Sequence, residues 1–253
     1  MLDSSPRIAR VPCQVSSSLG VTAAPAYTQA DGELRPTTVA AGGSERMIPV
    51  CAANSVAHVF SVRIHGRGGQ GVVTAAELLS AAAFAENLES QAFPSFGSER
   101  MGAPVVAFCR VDDQRIRLRE PIVEPDAVVV QDPTLLHHVD VFGGLVEDGY
   151  VLINSARTID ELGLEELRDR HHPERLLSVP AGELARTYLG RPIPNAALLG
   201  ALAALTGLIS LSALEQAIAA RFSGDALEGN RAAARDAFAW AERRGHLAES
   251  AHA

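Results

Sequence analysis

The run Val62-Arg63-Ile64-His65-Gly66-Arg67-Gly68-Gly69-Gln70-Gly71-Val72-Val73-Thr74 places four glycines within six positions, between a β-prone segment and a segment with helical spacing. Glycine lets a backbone turn sharply, adopt positive φ and approach a neighbour with no Cβ in the way. A helix that starts straight after such a turn presents unpaired N–H groups and the positive end of its dipole, which favours an anion. Strand, tight turn and helix are therefore expected here, and the turn is the first candidate for a functional surface.

The pattern on either side extends this unit. Residues 58–64 read as the first strand and 74–87 as the first helix. Residues 91–96 are aromatic-rich and broken by Pro94, and 96–104 form a polar, glycine-bounded loop. A strand over 105–111, a turn at Asp112-Asp113 and an alternating return strand over 114–119 predict a hairpin. The β-branched run 126–131 and the run 149–155 read as strands buried on both faces. Helices are expected over 134–141, 159–170 and 181–189, with a further strand over 175–180. The tail reads as three helices, 195–208, 212–222 and 226–245. Ser212 and Glu215 give the second of these a capping-box spacing. Strands alternating with helices after a glycine turn define the α/β class. The expectation is a three-layer Rossmann-like sandwich over residues 58–250, with a mixed, mainly parallel sheet and a helical C-terminal portion.

Residues 1–57 have no sustained periodicity, and Ser16-Ser17-Ser18, Pro36-Thr37-Thr38 and Gly42-Gly43-Ser44 are linker chemistry. A disordered or weakly structured extension is expected. Met47 offers a second start, which would make residues 1–46 an artefact; a genuine flexible extension is the other reading.

Composition narrows the function. With 47% hydrophobic and 21% charged residues, the chain is an ordinary soluble protein able to bury a sizeable core. A net charge of -8 without clustered basic residues argues against a nucleic-acid partner. The three cysteines, Cys13, Cys51 and Cys109, form no C-x-x-C pair, so this chain alone builds no thiolate zinc or iron–sulfur site. That sparse, odd count fits a reducing, cytoplasmic setting. No apolar run reaches the roughly 18 residues of a membrane span, and no basic-then-apolar leader opens the sequence.

Gly66, Gly68 and Gly71 fit G-x-G-x-x-G in the strand–turn–helix context of a dinucleotide site. Several features count against a nicotinamide cofactor. Gly69 is an extra glycine, and His65, Arg67 and Gln70 make the loop unusually polar. No acidic residue ends the second strand: Glu86 and Glu89 precede it, and Phe93-Pro94-Ser95 occupies the place of the ribose carboxylate. A phosphate site and a purely structural turn both remain open. The adjacent pairs His137-His138 and His171-His172 point apart on any helix and make poor metal sites, and Cys109 reads as a buried apolar filler.

At 64–71 the sequence Ile-His-Gly-Arg-Gly-Gly-Gln-Gly resembles the opening motif of the gamma subunit of 2-oxoacid:ferredoxin oxidoreductases. Residues 93–105, Phe-Pro-Ser-Phe-Gly-Ser-Glu-Arg-Met-Gly-Ala-Pro-Val, are similar to that subunit's second signature, closest to its pyruvate/2-oxoisovalerate branch. Ser98 and Met101 depart from the usual Pro and Arg. Asn195-Ala196-Ala197-Leu198-Leu199-Gly200-Ala201 matches a later Asn-led helix start, and Asn230 a further Asn. The resemblance covers about residues 58–245.

The resemblance implies a subunit with no catalytic residues of its own. In such complexes thiamine diphosphate, Mg and [4Fe-4S] clusters belong to alpha, beta and ferredoxin-like delta subunits. The 2-oxoacid is decarboxylated there, CoA takes the acyl group and ferredoxin takes the electrons. The gamma subunit packs on the others and helps shape the CoA-facing side. The residues expected to face CoA or a partner loop are Gly66, Arg67, Gly68, Gly69, Gln70 and Gly71, with Ser98, Glu99 and Arg100. Arg67 and Arg100 are suited to bidentate pairing with phosphate or carboxylate. Glu99 reads as a local partner of the arginines, and Asn195 as a helix cap. Two competing readings are a stand-alone NAD(P) oxidoreductase of Rossmann type and a non-catalytic interaction or regulatory domain.

Overall fold

The computed structural model describes residues 27–30, 33–36, 59–95 and 102–251. The chain divides into two units, Met1–Arg46 and Met47–Ala253. In the first, β1 (Tyr27–Ala30) pairs antiparallel with β2 (Glu33–Pro36). The second carries a six-stranded sheet.

The sheet is built around β3 (Phe60–Arg67). This strand runs three residues beyond the expected end, so Gly66 and Arg67 belong to the strand and not to the turn. Its residues alternate between two environments. Val62 and Ile64 are fully buried in the larger core, while Arg63 and His65 turn to the opposite face. Helix α1 (Val72–Ala85) follows, and β4 (Glu89–Ser95) and β5 (Pro104–Asp112) come next. Then β6 (Ala127–Val130), β7 (Tyr150–Asn154) and β8 (Leu176–Val179) complete the sheet in the order β4-β5-β3-β6-β7-β8. The β3–β6, β6–β7 and β7–β8 pairs are parallel, and the β4–β5 and β5–β3 pairs are antiparallel. The mixed, mainly parallel sheet expected from the sequence is present.

The antiparallel strands differ from the expected hairpin. Residues 114–119 form no strand. The partner of β5 is β4, with Gln91 opposite Arg110 and Phe93 opposite Phe108. Because β5 lies between β4 and β3, neither of its edges is free for a return strand. The alternation of Gln114 to Arg119 reflects a solvated connection. Pro94, which seemed to break the preceding segment, lies within β4; an edge strand tolerates a residue without N–H.

The larger layer lies on the face of Val62 and Ile64. It holds α1, α3 (Ala181–Leu189), α4 (Asn195–Thr206), α5 (Leu211–Arg221) and α6 (Gly224–Ala251). Among the described residues the other layer is thin: a 3-10 turn at Pro133–His137, another at Asp160–Leu162, and α2 (Glu165–Arg170) cover Val128, Val130, Val151 and Ile153. The helix expected over 134–141 is only that first turn. The one expected over 159–170 is divided by Gly163 at φ 73. Ser210, not Ser212, caps α5, its hydroxyl accepting from Ala213 N at 3.1 Å. Glu215 is not part of a capping box; it forms a bidentate pair with Arg235 of α6.

Small residues let the C-terminal helices approach closely. A Cβ on Gly200 of α4 would stand 2.2 Å from the Ala234 carbonyl oxygen of α6. Leu198, Leu199 and Leu202 are fully buried around this contact, each worth about 1.5–3 kcal/mol of apolar burial. Gly200→Ala is expected to force the helices apart and destabilise the domain by about 1–3 kcal/mol, read as a lower urea midpoint.

Candidate functional site

The site lies at the carboxyl ends of the parallel strands, between β3 and β6. From β3 the chain crosses through α1 to β4 on one side; from β6 it crosses over the opposite face to β7 on the other. Open α/β sheets bind ligands at such a switch point.

Geometry explains each residue of the glycine loop. A Cβ on Gly66 would fall 2.6 Å from Val72 Cγ2 and 3.1 Å from both Gln131 Oε1 and Gln70 Oε1, so glycine is needed for packing. Gly68 donates to the Ala103 carbonyl at 2.9 Å and accepts from Gly102 N at 3.2 Å. The two signature segments, far apart in sequence, thus meet through backbone bonds. Gln70 closes the turn: its N–H donates to Arg67 O at 3.0 Å, and its Oε1 accepts from Arg67 N at 2.8 Å. Gly69 and Gly71 take φ of 92 and 75, the latter at the residue preceding α1. No side chain caps α1. Among the described residues the N–H groups of Gly69, Gly71 and Val72 find no acceptor. Ser98, Glu99 and Arg100 lie outside the described residues.

Arg67 does not present a free guanidinium. Its Nε donates to Asp132 Oδ2 at 3.1 Å, its NH2 group to Thr134 Oγ1 at 2.7 Å and its NH1 group to the Gly102 carbonyl at 3.0 Å. Asp132 Oδ2 also accepts from Gln70 Nε2 at 2.8 Å, and its Oδ1 from Thr134 N and Oγ1 at 3.0 and 2.6 Å. Burial alone would raise the Asp132 pKa. The bonds from Thr134 and Gln70 and the charge of Arg67 outweigh it and hold the carboxyl below its usual range. Arg67 is therefore a brace between the glycine loop, the β6 end and residue 102.

Behind the loop runs a chain of amides. Gln131 Nε2 donates to Asn195 Oδ1 at 3.0 Å, Asn154 Nδ2 donates to Gln131 O at 2.8 Å, and Gly182 N donates to Asn154 Oδ1 at 2.8 Å. It ties the starts of α3 and α4 to the ends of β6 and β7. Asn195 does not cap its own helix, as the sequence suggested; it is the first helical residue and turns inward. Sequence reasoning missed Gln131, Asp132 and Asn154. The available signal was position: each ends a buried β-run with a polar side chain, where parallel strands place functional groups.

His65 is 4% exposed, its Nε2 has no partner among the described residues, and its pKa is lowered to about 4, first by burial and then by Arg63, against a weaker pull from Asp140. Arg63 is held by the Val141 and Gly143 carbonyls at 3.0 and 2.6 Å. Cys109 faces the larger core, its thiol pushed up to about 12 by burial. It offers no thiolate. Among the described residues no group of three His, Cys, Asp or Glu is placed to hold a metal, and no helix is long and apolar enough to cross a membrane. An open groove of about 590 Å³, edged by the exposed Phe84, lies between α1, β4 and α5, away from the loop.

These features define an α/β domain with a braced glycine turn at its switch point. Residues 61–240 match the profile of the pyruvate ferredoxin/flavodoxin oxidoreductase family, and the chain belongs to that family. It is 51% identical over 180 residues to the pyruvate/ketoisovalerate oxidoreductases common subunit gamma of Pyrococcus abyssi, an alignment covering 71% of this chain and 96% of that one. The pyruvate synthase subunit PorC of Methanothermobacter marburgensis is 46% identical with the same coverages. The crystal structure of the pyruvate oxidoreductase subunit PORC of Thermotoga maritima superposes with a TM-score of 0.61 at 34% identity, covering 72% of this chain and 96% of that one.

Acid is expected to act on this region in two windows. The His65 pKa is depressed on folding, so its contribution to stability is full above pH 6.5 and is lost as pH falls towards about 4. The loss is on the order of 3 kcal/mol and should vanish in His65→Leu when urea unfolding is followed against pH. The Asp132 contribution is present above the ordinary carboxylate range and lost below it. Asp132→Asn should cost about 1–3 kcal/mol at neutral pH and remove the second window.

Proposed function

We propose that this chain is the gamma subunit of a multisubunit 2-oxoacid:ferredoxin oxidoreductase that acts on pyruvate or a related 2-oxoacid. In this reading alpha and beta subunits hold thiamine diphosphate, Mg and iron–sulfur clusters, a ferredoxin-like delta subunit passes electrons on, and the complex works in the cytoplasm. When bound in its partners, thiamine diphosphate supplies the carbanion chemistry of decarboxylation. This chain adds a rigid wall. The N–H groups of Gly69, Gly71 and Val72, which find no acceptor among the described residues at the positive end of α1, orient an anionic part of CoA, and the Asp132–Arg67 brace keeps them aimed. Ser98, Glu99 and Arg100 are proposed to complete that wall.

The observation that carries this reading is the alignment over 96% of subunits named gamma and PorC, joined to a loop in which the Gly69 and Gly71 N–H groups find no acceptor among the described residues while Arg67 is engaged. The nicotinamide alternative has less support. In a dinucleotide fold the strand after the first helix lies beside the first strand and ends in an acid. Here β5 separates β4 from β3, and β4 ends in Pro94 and Ser95.

The purified chain is expected to show no 2-oxoacid oxidation alone, and CoA-dependent ferredoxin reduction only with its partners. A pull-down from the native host that recovers no thiamine-binding chain sinks the proposal. Arg100→Ala in an assembled complex should raise the KM for CoA; an unchanged value with assembly intact would favour an interaction domain without CoA contact.

A further inference from the structure

Helices α1 and α4 begin side by side. Asn195, the first residue of α4, lies with its amide against Gly71: a Cβ on Gly71 would fall 2.5 Å from Asn195 Nδ2. Asn195 is 5% exposed, and its Oδ1 is committed to Gln131 Nε2. That bond directs Nδ2 to the loop side. Among the described residues nothing accepts from Nδ2, yet it is not sealed off as Gln131 Oε1 and His65 Nε2 are. A nearly buried amide with its oxygen spent and its NH2 group unspent is costly unless an acceptor arrives from outside. Its neighbours point the same way: Gly69 and Gly71 offer N–H groups without acceptors, and both helix termini are positive.

We propose that Asn195 Nδ2, with the Gly69 and Gly71 N–H groups, holds an anionic phosphoryl oxygen of a phosphate-ester co-substrate at the joined starts of α1 and α4. The donor set belongs to this chain; only the identity of the ester rests on the CoA reading above. The set contains no free cation, because the charge of Arg67 is paired with Asp132 and its three nitrogens donate to Asp132, Thr134 and the Gly102 carbonyl. Glycine at 71 leaves Nδ2 open to the ligand.

Asn195→Asp isolates the donor. The carboxylate keeps an acceptor for Gln131 Nε2 and nearly the same shape, but sets an anionic oxygen where Nδ2 stands. Pyrophosphate titrated into the full-length chain by calorimetry is expected to bind wild type and to bind the variant about ten- to a hundredfold more weakly, with the same circular dichroism. In wild type, the Asn195 side-chain NH2 signals should shift in heteronuclear NMR spectra as pyrophosphate is added, a readout that does not depend on the variant folding. Equal affinities, no binding by wild type, or unshifted signals overturn the proposal. So does a variant that keeps pyrophosphate affinity but no longer joins its partner subunits, since the amide would then serve a partner carboxylate. An assembled complex whose turnover ignores CoA would refute the co-substrate reading and leave the pyrophosphate result standing.

Discussion

The carboxylate of Asp132 holds the functional end of this domain together. It gathers Arg67, Gln70 and Thr134, and through Arg67 reaches residue 102. Three separate stretches of chain are thereby fixed to the carboxyl end of the sheet. The cost of burying an ion is met by several charge-assisted bonds to one group. Without that anchor the guanidinium of Arg67 would face outward and the site would have a cation in place of a row of neutral donors. The character of the glycine loop is therefore decided by a residue 65 positions downstream of Arg67.

How much of this was legible in the sequence depends on what carried the signal. The parallel strands were legible because Ala127–Val130 and Tyr150–Asn154 are continuous apolar runs, which only burial on both faces explains. The start of α1 was legible because glycine chemistry leaves few alternatives. β4 was legible at its end, Phe93 to Ser95, but not in its place at the sheet edge, where a strand accepts Pro94 within it. The false hairpin had the same origin: alternation in Gln114 to Arg119 describes a wet segment equally well, and the edge it would have needed belongs to β4. The site was half legible. Local motif reading found Gly66 to Gly71 but could not tell whether Arg67 was free, because its partner Asp132 comes from another strand. Asn195 was noticed as a motif residue and as a cap, but not for its inward-turned amide.

Family membership and geometry fit the division of labour proposed above. Among the described residues the thiol of Cys109 is buried, His65 is held neutral by burial and Arg67 is braced. In the reading proposed above, the chain contributes shape and oriented dipoles. A site shared among subunits benefits from this, since each wall must be in place before the others arrive.

The extension of β3 into the motif has a consequence for how such a wall works. Gly66 and Arg67 are paired with Val105 and Pro104 across the sheet, and Gly68 with residues 102 and 103 beyond it. The turn is thus a continuation of the central strand, and its conformational entropy is surrendered when the domain folds. Little remains to be lost when a ligand or a neighbouring subunit meets it, so encounter strength there is set by contacts formed and not by loop ordering.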